Sequence, residues 1–307
     1  MIVIPGSNST KLAARIAQAS GCRVAEAHAK KFQDGETYIR IDNELAGENA
    51  IIVQTCYPNQ NDSLMEIMLL ADAAIRKGAQ NLSAVIPYLA YSRQDKVFQN
   101  GGASSLEVVM KLLRTSGISF LITADAHFHR KAGKFTLHGM DGVNVSAARI
   151  LLDSLSGKIG EAIVIGPDMG SSEMIQYATG KSLFMTKNKV CPDCGKPETE
   201  CRCPGRKKEY AVSEIRSDVN FKDKRVIIMD DMIASGSTMV KAVDKVRAEG
   251  AKSIAVAATH GLFNGNSLEI LRNKTDAVVV SDSIETPVSS VSISSLIAEE
   301  INRRVMA

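Results

Sequence analysis

The chain has 307 residues, of which 45% are hydrophobic and 23% charged, and a formal net charge of +3. That length exceeds the roughly 100 to 200 residues usual for one domain, which predicts two domains, and the composition is that of a soluble globular protein. So mild a basicity lacks the concentrated positive field of a dedicated nucleic-acid binder and leaves the cations available for anionic metabolites.

The opening MIVIPGSNSTK has no charged segment followed by an apolar run of about 7 to 15 residues, so it reads as a first strand and not as a secretory signal. No apolar run approaches the ~18 residues that a membrane span needs, so no membrane association and a cytoplasmic location are expected. MIVIPG, NAIIVQT, LSAVIPYL and SFLITADAH read as strands, with helices expected over 9–19, 63–76 and 104–114. Ser63 followed by Glu66 has the form of a capping box, and Gly78 closes the same helix. Around HGMDGVNVSAARI glycines precede a new helix, which marks the expected domain boundary. EAIVIGPD, KSLFMTK, RVIIMDD, KSIAVAATHG and DAVVVSDS repeat the pattern, with helices near 171–178, 237–248 and 267–273 and a terminal amphipathic helix in SSLIAEEINRRVMA. Short apolar strands alternating with amphipathic helices predict an α/β protein built on parallel sheets.

The stretch RVIIMDDMIASGSTMVKAV sets Asp230 and Asp231 side by side at the carboxyl end of an expected strand, where open α/β sheets bind ligands. The turn that follows, Ile233 through Thr238, can offer successive backbone N–H groups and the hydroxyls of Ser235, Ser237 and Thr238 to a phosphate at a helix N-terminus. Gly236 lets the backbone come close. Paired carboxylates beside a phosphate cradle suit a sugar phosphate, because carboxylates accept hydrogen bonds from vicinal hydroxyls or hold a divalent cation's water. A Walker A loop is excluded, since its Gly-x4-Gly-Lys-Ser/Thr spacing is absent.

IIMDDMIASGST resembles the phosphoribosyl pyrophosphate-binding motif shared by type I phosphoribosyltransferases and ribose-phosphate pyrophosphokinases, with Ser235 where threonine is common. Alone it does not separate the two. KFQDGETYIRI, PYLAYSRQDKVFQNGG, TADAHFH and VIGPDMG resemble, in that order, successive motifs of ribose-phosphate pyrophosphokinase, and the FQNGG form is similar to archaeal members. The resemblance implies two tandem phosphoribosyltransferase-like lobes, each a mainly parallel sheet flanked by helices: 1–144 handling ATP, 145–286 binding ribose 5-phosphate, and a C-terminal helix over 287–307. It implies transfer of diphosphate from ATP to ribose 5-phosphate with Mg2+.

Carried over by position, Arg93, Gln94 and Asp95 match an ATP-contacting segment. Phe32, Asp34 and Glu36 match a loop that reaches the adenine bound by a neighbouring subunit, which requires a homodimer or higher homo-oligomer. An aromatic face and carboxylate acceptors are what a purine would want, although Asp-Gly alone also describes a hairpin turn. His127 and Asp168 match Mg2+-holding positions. Asp230, Asp231, Ala234, Ser235, Gly236, Ser237 and Thr238 match the ribose 5-phosphate site. Lys187 and Lys189 match a catalytic loop bearing lysine and, two residues on, arginine; in this chain Lys189 replaces the arginine and loses its planar fork.

Directly after those lysines, 190–208 carries Cys191, Cys194, Cys201 and Cys203 as C-x2-C and C-x-C. Two thiolate pairs across a short Pro/Gly-rich loop suit a structural tetrahedral Zn2+, against reduced thiols or a redox-controlled disulfide. Beside the enzyme reading stand a non-catalytic regulatory homologue, to which Lys189 and the insertion point, and a nucleobase phosphoribosyltransferase, which would not need the first lobe.

Overall fold

The computed structural model describes residues 1–190, 194, 196, 211–216 and 219–305. The first part of the chain forms β1 (Ile2–Pro5), α1 (Thr10–Ser20), β2 (Arg23–Val24), β3 (Ala27–Lys31), β4 (Thr37–Ile41), β5 (Asn49–Val53), α2 (Gln60–Arg76), β6 (Asn81–Val85), α3 (Ser105–Thr115), β7 (Phe120–Ala124), β8 (Gly133–Leu137) and β9 (Met140–Val145). The remainder forms α4 (Ala148–Ile159), β10 (Ile163–Ile165), α5 (Ser172–Thr179), β11 (Thr186–Val190), β12 (Ala211–Arg216), β13 (Arg225–Ile233), α6 (Ser237–Ala248), β14 (Ser253–Gly261), α7 (Ser267–Lys274), β15 (Ala277–Ser281), β16 (Ser289–Val291) and α8 (Ser294–Val305).

The chain divides into two compact units, the first comprising Met1–Ala147, Thr259–Leu262 and Val280–Ala307 and the second Ala148–Ala258 and Phe263–Val279. In the first, a sheet of order β2-β1-β5-β6-β7-β9-β8 is parallel except for the antiparallel edge pair of β8 and β9. The inner strands β1 and β5 are apolar and buried almost end to end, as a sheet covered on both faces demands. The covering helices carry narrow apolar stripes: α3 buries Leu106, Val109, Met110 and Leu113 at helical spacing. Gly21 ends α1 in the left-handed conformation, its N–H returning to the Ala17 carbonyl.

The C-terminal segment belongs to the first unit because α8 packs on α1 and because a charge cluster fastens the connection before it. Arg15 reaches Asp282 at 3.0 Å and Glu285 at 2.9 Å, and Lys11 pairs with Glu285 at 2.9 Å. A second sheet has the order β10-β13-β14-β15-β16, in which β10 runs parallel to β13. The two remaining pairs, β3 with β4 and β11 with β12, are antiparallel ribbons. No helix among the described residues is long and apolar enough to cross a membrane.

Two local expectations are corrected. Helix α2 begins at Gln60, so Ser63 lies inside its first turn, its hydroxyl returned to the Asn59 carbonyl at 2.7 Å. Glu66 therefore closes no capping box; its carboxylate accepts from the N–H and hydroxyl of Ser7 at 2.7 and 2.6 Å, joining α2 to the end of β1. KSLFMTK is not a sheet strand either. Its middle bonds around Gly166 through Leu183 and Met185, and extended pairing starts at Thr186 in the separate β11–β12 ribbon.

Cys56 is completely buried, and burial, reinforced by the Glu66 charge and opposed by a backbone hydrogen bond from Ala90, pushes its thiol from 9.0 up to about 12. Between those values the unfolded chain releases this proton while the folded chain keeps it, so Cys56 makes stability fall as pH rises through the window. Urea denaturation should show this slope, about 1.4 kcal/mol per pH unit, reduced in Cys56→Ala. Identical pH dependence in the two proteins would contradict the assignment.

Candidate active site

In the second unit, β13 continues beyond its pairing with β10. Asp168 and Asp231 each stand three residues past the paired Ile165 and Ile228, so the carboxylates gather toward one end of neighbouring parallel strands. Asp168 caps a short 3-10 turn, accepting from the Gly170 N–H at 2.6 Å through one carboxylate oxygen, while its carbonyl accepts from the Ser171 hydroxyl at 2.8 Å. Asp230 and Asp231 are half-buried, and an Asp230 oxygen accepts from the Asp231 N–H at 3.0 Å.

The loop from Ile233 to α6 is held on its far side. Phe263 and Asn264 donate their N–H groups to the carbonyls of Ile233 and Ala234 at 3.0 and 2.9 Å. Gly236 turns the chain into α6 at φ 72°, and no side chain caps that helix. The first helical bond runs from the Val240 N–H to the Gly236 carbonyl, which leaves the preceding turn directed at the loop. The Ser235 and Ser237 hydroxyls lie 3.2 Å apart and are exposed. An uncapped N-terminus with adjacent hydroxyls attracts a phosphate; carboxylates two residues upstream of the loop accept from hydroxyls.

In the first unit, His127 sits on the turn just past β7, half-buried. That turn is fixed by two buried side chains that sequence reasoning did not single out in these roles. Asp125, at φ 36°, accepts from the Ala147 N–H at 2.8 Å and the Thr259 hydroxyl at 2.6 Å. Asn144 accepts from the Ala126 N–H at 2.9 Å and donates to the His129 and Lys131 carbonyls. His260 is structural: its Nε2 donates to the Ala124 carbonyl at 2.9 Å and its Nδ1 meets the Ser283 hydroxyl. Burial, then the Lys131 charge, lowers the His129 imidazole below its usual range.

Arg93, Gln94 and Asp95 are exposed on the loop between β6 and α3. Gln94 also braces that loop, accepting from the Ser105 hydroxyl at 2.7 Å, while its carbonyl accepts from the Leu106 N–H. Phe32, Asp34 and Glu36 form the exposed tip of the β3–β4 hairpin, with Gly35 at φ 93° and the Glu36 N–H bonded to an Asp34 oxygen at 3.1 Å. Phe32 is 46% exposed and tilted on Tyr38. Lys187 and Lys189 lie on β11, in register with Ile215 and Val212, with a register shift between Asn188 and Lys189.

Cys191, Cys201 and Cys203 fall outside the described residues, and Cys194 is exposed. A different group of metal-ligand type occurs at the base of the β3–β4 hairpin, where Glu26, His28 and Asp42 bring ligand atoms within 4.8 Å of one another. All three are exposed, and Asp42 is already engaged by His28 at 2.9 Å and Arg40 at 2.8 Å.

Gly236 offers the sharpest check on the loop. A Cβ there would lie 2.8 Å from the Ser267 Cβ, on a backbone conformation that side chains rarely adopt. Gly236→Ala should cost about 1–3 kcal/mol of stability by chemical denaturation; an unchanged midpoint would contradict the described loop.

Comparison with known proteins converges on one family. Residues 1–117 match the N-terminal domain of ribose phosphate pyrophosphokinase, and residues 141–296 match the phosphoribosyl transferase domain. A ribose-phosphate pyrophosphokinase of Thermococcus kodakarensis is 34% identical, over 89% of this chain and 91% of its own. That of Methanobrevibacter smithii is 32% identical over 97% and 98%, and that of Vibrio parahaemolyticus 31% over 99% and 95%. The crystal structure of phosphoribosylpyrophosphate synthetase from Mycobacterium smegmatis superposes with a TM-score of 0.81 at 25% identity, covering 99% of this chain and 98% of that one. With both halves matched in order and relatives aligned nearly end to end, the chain belongs to the ribose-phosphate pyrophosphokinase family.

Proposed function

We propose that the protein transfers the diphosphoryl group of ATP to the anomeric hydroxyl of ribose 5-phosphate, giving phosphoribosyl pyrophosphate and AMP. The observation that carries this is the pairing, on one strand-to-helix connection, of Asp230 and Asp231 with the glycine-entered, uncapped N-terminus of α6. The 5-phosphate takes the N–H groups and hydroxyls of Ala234, Ser235, Gly236, Ser237 and Thr238, where the helix dipole favours negative charge. Asp230 and Asp231 accept from the ring hydroxyls and orient the sugar.

ATP is assigned to the first unit. Arg93 and its neighbours Gln94 and Asp95 face solvent with charged and amide groups suited to phosphate and ribose, and the exposed Phe32 offers a face for adenine, with Asp34 and Glu36 as acceptors for its amine. The outward hairpin tip supports its use by a second copy, hence a homodimer or higher homo-oligomer. In the second unit the hard oxygen donors of Asp168 fit Mg2+; in the first, the imidazole of His127 is a weaker Mg2+ ligand in its own right. Mg2+, when bound, would neutralise charge on the diphosphate. The bond from the anomeric oxygen to the β-phosphorus forms as the bridge from the α-phosphate breaks, and AMP leaves. Catalysis of this kind is mainly positioning and charge compensation, roles that fall to Lys187 and Lys189. A lysine at 189 supplies charge without a bidentate fork.

With ATP, ribose 5-phosphate and magnesium, the wild-type chain should form AMP and phosphoribosyl pyrophosphate in equal amounts. Lys187→Ala should lose most turnover, and Asp231→Asn should lower kcat/KM by about 100-fold, roughly 2.7 kcal/mol of transition-state stabilisation. A folded wild type that binds either substrate without turnover would turn the reading to the regulatory homologue.

For the insertion we propose a structural zinc held by Cys191, Cys194, Cys201 and Cys203, on their spacing. Metal analysis of purified protein should give about one zinc per chain, lost in Cys191→Ser/Cys194→Ser; equal zinc in both proteins would contradict it.

A further inference from the structure

At the opposite end of β13 from Asp230 and Asp231 lies a basin of about 690 Å³, inside the second unit, which the proposed reaction does not use. Four cations line it: Lys181 just after α5, Lys224 and Arg225 at the start of β13, and Lys252 just before β14. Glu161 and Asp223 are the acidic groups there, leaving an excess of positive charge. Several exposed lysines elsewhere are paired with acids, as Lys77 is with Glu44 and Lys274 with Asp244. Among the described residues these four have no ion-pair partner.

The cations stand on a fixed base. The Asp223 N–H bonds the Gly250 carbonyl at 2.9 Å and the Lys252 N–H bonds the Lys224 carbonyl at 2.7 Å, so the two lysine-bearing turns are tied together. Gly160 leaves room for the Arg225 guanidinium, since a Cβ there would lie 2.6 Å from Nη1. The half-buried Ile163, Val164 and Leu183 supply an apolar floor. Ammonium groups and a planar guanidinium converging on a small-molecule-sized cavity suit a chain of phosphate oxygens.

We infer that this basin binds a polyphosphate group at a site separate from the reaction centre. The five residue steps from Arg225 to Asp230 along extended β13 span about 17 Å, longer than a triphosphate, so one triphosphate does not reach both ends. The polyphosphate comes either from a nucleoside triphosphate, whose base would use the apolar floor, or from an inorganic chain.

The test is calorimetric titration of the full-length chain with tripolyphosphate and, separately, with ATP, comparing wild type with Lys181→Gln/Lys224→Gln/Lys252→Gln. All three positions lie at the surface, and none belongs to the proposed catalytic or substrate-binding set, so fold and basal turnover should persist. Tripolyphosphate should bind wild type at a basin component weakened at least tenfold in the triple variant and screened by salt. If the component lost from ATP binding is tighter than that lost from tripolyphosphate, the ligand is a nucleotide; if the two are equal, the phosphate chain alone is read. Equal stoichiometry and affinity for tripolyphosphate in the two proteins, including binding by neither, would overturn the inference.

Discussion

A parallel sheet covered on both faces has no room for a carboxylate except where a strand runs out, and that constraint organises the chemistry of this chain. Along β13 four consecutive residues, Val226 to Met229, are buried, and polarity begins at Asp230. Along β7, Leu121 to Ala124 are buried and Asp125 follows directly. Along β10, Ile165 is the last strand residue and Asp168 comes three positions later. Desolvation keeps charge out of the buried runs of the strands, and their carboxyl ends receive it.

The carboxylates then divide according to how deeply they are buried. Asp125 is 4% exposed and accepts from both Ala147 and Thr259, so its charge holds the backbone turn that carries His127. It is a structural acid beside the position proposed to hold Mg2+. Asp230 and Asp231 remain half-buried near the end of β13, just before a loop that accepts backbone bonds from Phe263 and Asn264 on its other side. A loop so braced is held by backbone bonds on the side away from α6. Gly236 completes the arrangement, because any Cβ would collide with Ser267.

The parts of this design that obey short-range rules were legible in the sequence. Helix α6 begins at Ser237 as expected, since a Gly-Ser-Thr turn before apolar periodicity admits little else. The alternating pattern predicted the parallel strands β1, β5, β6, β7, β10, β13, β14 and β15. What failed depended on partners far along the chain. Glu66 looked like a cap for Ser63 but is claimed by Ser7, fifty-nine residues away. KSLFMTK is apolar enough for a strand, yet its middle meets the second sheet at the single bridge to Gly166, where β10 has ended. Asn144, central to the His127 turn, sits on β9 in the glycine-rich segment within which the chain passes from the first unit to the second, and nothing local marks its amide as different from any other. Family resemblance supplied roles for Phe32, Arg93 and Lys187 that residue chemistry alone left open.

The central claim is that the bond broken in ATP joins the α- and β-phosphates. The most direct measurement is 31P NMR of a reaction containing ATP, ribose 5-phosphate and magnesium with the purified full-length chain. The account predicts that the three ATP resonances give way to the single phosphate of AMP and to a new diphosphate pair attached to the sugar, while the 5-phosphate signal persists. Appearance of ADP with one phosphate on the sugar, or an unchanged spectrum from protein shown to bind both substrates, would contradict it.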